Sequence, residues 1–314
     1  MPFKLEIPIF TADVEEHDGR SSDQMCLSRL LDLCKEFNSA DCHRVRLELN
    51  AVGSYHTIRF LTHLRKSEIL REDQQPIIRI MIRPRGAKND NESAPATTEL
   101  RDFQYSDAEL LAMCQSIEEF KAMGQDFLSP ERGDGFVFGV QRRLDDHSNG
   151  LMLDPEANKR LTAMALPYPC FLHRAFDGVI ATRQNHPGVH EPTGDAVPKT
   201  SIGDLVEEIN GLGFKGVLTS GGWGNATDNL EVLSELGRAA LKEKDEDRFE
   251  LIVGGGVRYG NVWDICSAMK ELAQHRDFWL HSSCLTRTGF SSQEAWFLLM
   301  KLKAAEVTVA SGVH

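Results

Sequence analysis

Eight short β-rich runs, at residues 4–10, 44–49, 77–83, 135–140, 170–174, 216–219, 251–253 and 278–281, alternate with helical patterns along the chain. Several of these runs are apolar throughout, as expected of parallel strands covered on both faces. Alternation of strand and helix without a break in composition favours one α/β domain over two. Eight such units point to closure, and a (β/α)8 TIM barrel needs roughly 250 residues. The 314 residues are enough for one such barrel with insertions, so residues 1–314 are read as a single domain.

The intervening segments carry recognisable helix starts. Asp154 before Pro155 pairs an N-cap with a proline at the first helical position. Ser106 and Glu109 have the spacing of a capping box leading into Leu110, Leu111, Met113, Cys114 and Ile117. Residues 24–37 place Met25, Leu27, Leu30, Leu31, Cys34 and Phe37 close to one helical stripe. Two polar connections, 84–104 and 178–200, follow strands and therefore belong to the C-terminal face, where barrel enzymes build their sites. They read equally as lids or as surface decoration.

Charge narrows the partners. A net charge of −12 argues against nucleic acid or an anionic membrane, since both reward clustered Lys and Arg. A small anionic molecule remains compatible, because a few local arginines suffice to hold one. The opening ten residues lack a signal-peptide core, and no stretch approaches the ~20 apolar residues of a membrane span. Seven scattered cysteines without a Cys-x-x-Cys pair write neither a disulfide framework nor a structural zinc site, and suggest a reducing, cytoplasmic setting.

The polar residues at the strand ends are the candidates for chemistry. His173, Arg174 and Asp177 leave the fifth strand. His173 suits a general acid or base oriented by a carboxylate, while Arg174 and Asp177 could equally form a structural ion pair. Arg83 and Arg85 flank Pro84 and could fork onto a carboxylate or phosphate. Glu6 and Glu48 lie inside otherwise apolar strands and are the expected partners of those arginines, or proton-transfer groups beside His173. Gly254, Gly255 and Gly256, with Ser282 and Ser283 after His281, form turns of the kind that present N–H groups to an anion, and Ser220 sits in a similar turn. His173, His281 and a strand acid could also hold a metal such as zinc, although no spacing requires it. Cys26, Cys34 and Cys42 recur every eight residues but read as core thiols.

These same strand ends carry a family resemblance. Residues 81–86 (Met-Ile-Arg-Pro-Arg-Gly), Phe103, Tyr105 to Asp107 and Glu109 resemble the signature of the CutC copper-homeostasis family. So do residues 135–139, Phe171 with His173 to Asp177, residues 217–221, Gly254 to Gly256, and His281 with Ser283. The ordered match runs from Leu5 to about Ser283. The resemblance implies a TIM barrel, a cytoplasmic and often homo-oligomeric protein, and copper binding through cysteines near the ends of strands 1 and 2. At the corresponding positions this chain has Pro8 and Asn50, neither of which supplies the thiolate that Cu(I) prefers. Cys170, Cys284 and methionines are the remaining soft donors. Two functions follow: copper handling, or an enzyme of lyase, isomerase or hydrolase type acting on a small phosphorylated or carboxylated metabolite. A non-catalytic scaffold explains least why charged groups converge on one face.

Overall fold

The computed structural model describes residues 3–11, 27–50, 54–85, 102–144, 150–185, 201–241, 249–286 and 289–311. Eight parallel strands occupy the eight apolar runs: Phe3–Phe10 (β1), Val45–Asn50 (β2), Ile77–Met81 (β3), Gly135–Phe138 (β4), Cys170–Leu172 (β5), Gly216–Thr219 (β6), Glu250–Val253 (β7) and Phe278–His281 (β8). They pair in the order β1-β8-β7-β6-β5-β4-β3-β2 and close back onto β1. Parallel neighbours demand a crossover at every step, and helices supply it. The expected (β/α)8 barrel is therefore the fold.

The helix starts form as their chemistry requires. Ser106 Oγ accepts from Glu109 N while Glu109 Oε2 accepts from Ser106 N, so Asp107–Ala122 begins with both halves of the capping box in place. Asp154 Oδ1 accepts from Ala157 N ahead of Pro155–Ala165. Three strands are shorter than their apolar runs suggest, because the chain has already turned at Ile82, Gly139 and His173. The helix Ala175–Asn185 extends through 178–185, so the polar connection expected over 178–200 begins later; residues 186–200, and most of the 84–104 connection, lie outside the described residues. Short hairpins at Gln141–Arg143 with Leu151–Leu153 and at Leu285–Thr286 with Gly289–Phe290, and the final helix Ser292–Ser311, are additions to the expected pattern. Among the described residues, no helix is long and apolar enough to cross a membrane.

Side-chain alternation divides the interior in two. The odd positions of β1 and β2 (Leu5, Ile7, Ile9, Val45, Leu47 and Leu49) join the large apolar layer between sheet and helices. A second, smaller cluster fills the barrel lumen with one residue from each of β4 to β8: Val137, Phe171, Leu218, Ile252 and Trp279. On β1, β2 and β3 the corresponding inward positions are charged. Arg46 lies 3.9 Å over the Trp279 ring and Arg79 lies 3.8 Å over Phe171. The lumen is thus half aromatic and aliphatic, half ionic, and the two halves stack on each other.

Candidate functional site

Register creates the ionic half. Glu6 on β1 stands opposite Arg46 on β2 and opposite His281 on β8. Its carboxylate therefore reaches both neighbours: Oε2 accepts from Arg46 Nε at 2.5 Å, and Oε1 lies 2.7 Å from His281 Nδ1. Arg46 also reaches Glu250 Oε1 at 2.5 Å from its Nη1, with Arg79 Nη2 4.0 Å from the other Glu250 oxygen. Burial alone would push the Glu6 carboxyl up, but the Arg46 charge and the His281 hydrogen bond bring it down to about 2.

Glu48 sits on the same inward face of β2, opposite Arg79 in register and 1% exposed. Its Oε2 has no hydrogen-bond partner among the described residues. Burial pushes this carboxyl up to about 7; the His281 charge opposes the shift, and the nearby Glu6 reinforces it. His281 is raised: burial opposes its charge, but Glu48 and the hydrogen bond to Glu6 outweigh burial. An ionised carboxylate, a carboxyl raised toward neutrality and a raised imidazole thus lie together at the base of the C-terminal mouth.

His173 occupies the turn after β5, where its N–H donates to Phe138 O, and its ring lies 5.2 Å from Phe103. Among the described residues no carboxylate orients this ring, and Nδ1 has no partner. Burial, followed by the charges of Arg83 and His281, holds this imidazole well below the usual histidine range, so it is neutral. The histidine that a carboxylate orients is His281.

One other expectation is corrected. Arg83 and Arg85 do not face Glu6 and Glu48 as a fork. Arg83 pairs with Asp102 at 2.6 Å and lies over the Phe103 ring, while Arg85 grips Glu109 at the start of Asp107–Ala122 and also donates to Gln104 O. Asp177 accepts from Arg174 Nε, Thr219 Oγ1, Ser220 N and the Ser220 hydroxyl, knitting β5 to β6. The structural ion pair of Arg174 and Asp177 is the reading that the geometry supports. Gly255 and Gly256 have positive φ of 93° and 71°, and a Cβ on either would fall 2.7 Å from Ser220 Cβ or 2.4 Å from Asn225 Oδ1. A side chain at either position would therefore clash within the chain.

The described rim residues after β5, β6, β7 and β8 touch one another. Gly254 packs beside His281, Gly255 beside Ser220 and Arg174, and Arg174 Nη2 donates to Ser220 Oγ at 3.1 Å. Ser282 Oγ donates to Val257 O at 2.7 Å, leaving its lone pairs toward Arg258 Nη1 at 3.5 Å and Cys284 N at 3.3 Å. Arg46, Arg79, Glu250 and Arg258 were not singled out from the sequence. The signal for Arg46 is the strict alternation of residues 45–50, Val-Arg-Leu-Glu-Leu-Asn, which puts three polar side chains on one face.

Metal donors are sparse. Among the described residues, the group of His, Cys, Asp or Glu side chains close enough to hold one ion is Glu6, Glu48 and His281, whose ligand atoms lie within 4.8 Å of one another. Both Glu6 oxygens are already engaged by Arg46 and His281, and the set has no sulfur. Pro8 lies opposite Glu48 in register, and Asn50 is buried at the end of β2. Cys170 belongs to the sheet–helix layer, and burial pushes its thiol and that of Cys284 up to about 12. Among the described residues, this carboxylate–imidazole set does not fit Cu(I), which favours accessible thiolate or thioether ligands.

Fold and site together define a (β/α)8 barrel with a buried carboxylate–imidazole cluster beneath its C-terminal mouth. No family model matches the chain. It is 29% identical over 195 residues to the copper homeostasis protein cutC homolog of Homo sapiens, covering 62% of this chain and 52% of that protein. It is 30% identical over 177 residues to a CutC family protein of Caulobacter vibrioides, covering 56% of each. The chain spans about half the length of the curated relatives it matches. The crystal structure of the CutC protein of Streptococcus agalactiae superposes with a TM-score of 0.52 at 20% identity, over 90% of this chain and 99% of that one. The resemblance read from the strand-end motifs is thus found again in relatives that carry the CutC name.

Proposed function

We propose that the chain is an acid–base enzyme that moves a proton on a small anionic metabolite held at the C-terminal mouth. The observation that carries this reading is Glu48, a buried carboxyl with one oxygen that has no partner among the described residues, beside the hydrogen-bonded Glu6–His281 pair. An acid whose proton leaves near neutrality is matched to proton transfer at working pH. Glu48 and His281 are the proton carriers. Glu6 fixes the His281 ring through Nδ1 and acts as a positioning residue. A lyase or isomerase step adjacent to a carboxylate or phosphate is the chemistry such a set supports.

The experiment is solvent deuterium incorporation. A panel of small phosphorylated and carboxylated metabolites is incubated with the protein in D2O and followed by NMR. At least one member should exchange a carbon-bound proton, with the rate reduced by about 10²–10⁴-fold in Glu48→Gln. Exchange that is unchanged in that variant, or absent across the panel, contradicts the assignment.

The copper reading draws on the names of the relatives, and the donor set opposes it. Titration of the reduced protein with Cu(I) against a competing chelator should show affinity no greater than that of a cysteine-free control protein. Stoichiometric Cu(I) capture that Cys284→Ala abolishes would reverse this view. The six described cysteines are all free thiols, which accords with a cytosolic setting.

A further inference from the structure

The loop that follows β7 has an asymmetry that its packing does not use. Every carbonyl from Gly255 to Arg258 has a donor. Gly255 O accepts from Ala226 N, Gly256 O from Asn261 Nδ2, Val257 O from Ser282 Oγ and Arg258 Nη1, and Arg258 O from Asn261 N and Val262 N. The N–H groups of Gly255, Gly256 and Val257 donate to no partner among the described residues. Gly254 N is satisfied by Thr219 O, and Tyr259 N by the Glu294 carboxylate at 3.0 Å. Three successive free donors thus lie in one turn whose acceptors are all consumed, and the two positive-φ glycines give it the backbone of an anion nest.

Cations flank the turn on both sides. Arg174 Nη2 comes within 3.6 Å of the place a Gly255 side chain would occupy. Arg258, at the other end, has no carboxylate within ion-pair distance among the described residues, in contrast to Arg83, Arg85 and Arg174. Its Nη1 instead lies near Ser282 Oγ and donates to its own chain at Val257 O. A guanidinium tethered by its neighbours but lacking a counter-ion, beside three free amides, is a site for a doubly charged tetrahedral oxyanion.

We infer that the turn 255–258 binds the phosphate group of the metabolite, with Arg258 as its principal cation. This rests on the acid–base reading for the identity of the metabolite, but the anion site stands on its own donors. Gly254, which opens the turn, packs beside His281, so a phosphate held there would set the rest of a small molecule at the proton carriers.

The test uses inorganic phosphate and a small phosphomonoester, glycerol phosphate, each measured by calorimetry and by thermal shift against sodium chloride of equal ionic strength. The intact protein should bind both. Arg258→Ala should weaken binding at least tenfold and Arg258→Lys by less, whereas Arg85→Ala should leave it within about twofold because Arg85 is spent on Glu109. Failure of phosphate to bind beyond the chloride control overturns the inference. So does an Arg258→Ala protein that is folded by circular dichroism and binds as the parent does. Binding of free phosphate without the phosphomonoester also overturns it, since a metabolite must be admitted. Glu48→Gln separates the two readings: it should retain phosphate binding even where proton exchange is lost.

Discussion

Arg46→Met is expected to destabilise the protein by about 3–5 kcal/mol, the range for removing one partner from a buried ionic network. The Arg46 side chain is fully buried, holds Glu6 and Glu250 at 2.5 Å each, and stacks on Trp279. Methionine keeps much of the volume and the aromatic contact, so the loss reports charge rather than cavity. Arg79 remains, but it is 4.0 Å from Glu250 and cannot replace the Glu6 contact. The defect should also depend on pH. In the parent, the Glu6 carboxyl is lowered from 4.5 to about 2, so its contribution is present above 4.5 and lost as pH falls toward 2. Without Arg46, burial dominates and the carboxyl is raised, so Glu6 penalises folding as pH rises. The gap between parent and variant should therefore narrow in acid. Urea denaturation at two pH values measures this, and adding Glu6→Gln should recover part of the loss. A variant that loses less than about 1 kcal/mol, the scale of an exposed pair, would mean that the network carries little.

The second large effect has the opposite sign. Glu48→Gln should raise stability at pH 8 by about 3 kcal/mol, because a carboxyl raised from 4.5 to about 7 disfavours its charged form by that order. A raised group contributes stability below its unfolded value, and that contribution is lost as pH rises through the folded value. The parent should therefore weaken between about pH 4.5 and 7 relative to the variant, and the two should converge near pH 4. Loss of proton exchange together with a gain in stability identifies a residue kept for chemistry rather than for folding. Equal stabilities at pH 8 would mean that Glu48 ionises without penalty.

Strand order and helix starts were legible because their signals are local. Ser106 with Glu109, and Asp154 with Pro155, act over three residues or fewer, and the apolar runs needed only counting. The site was legible as a place but not as a set of pairs. Glu6 meets Arg46 across 40 positions and His281 across 275, and strand register alone decides those meetings. Arg83 and Arg85 appeared free for Glu6 and Glu48, yet acids 19 and 24 residues downstream claim them. His173 and His281 both end strands, and nothing in their neighbours along the chain says which of them a carboxylate will hold. Arg46 escaped notice although residues 45–50 alternate strictly, because in an ordinary sheet that face would be solvent, whereas barrel closure turns it into the lumen.

The claim on which the functional reading turns is that a buried carboxylic acid keeps its proton near neutrality. Infrared titration observes that proton directly, through the C=O stretch of protonated carboxyl groups. The parent should show one such band persisting above about pH 5 and disappearing around pH 7, and Glu48→Gln should lack it. A parent spectrum in which every carboxyl has ionised by about pH 5, indistinguishable from that of the variant, would contradict the account.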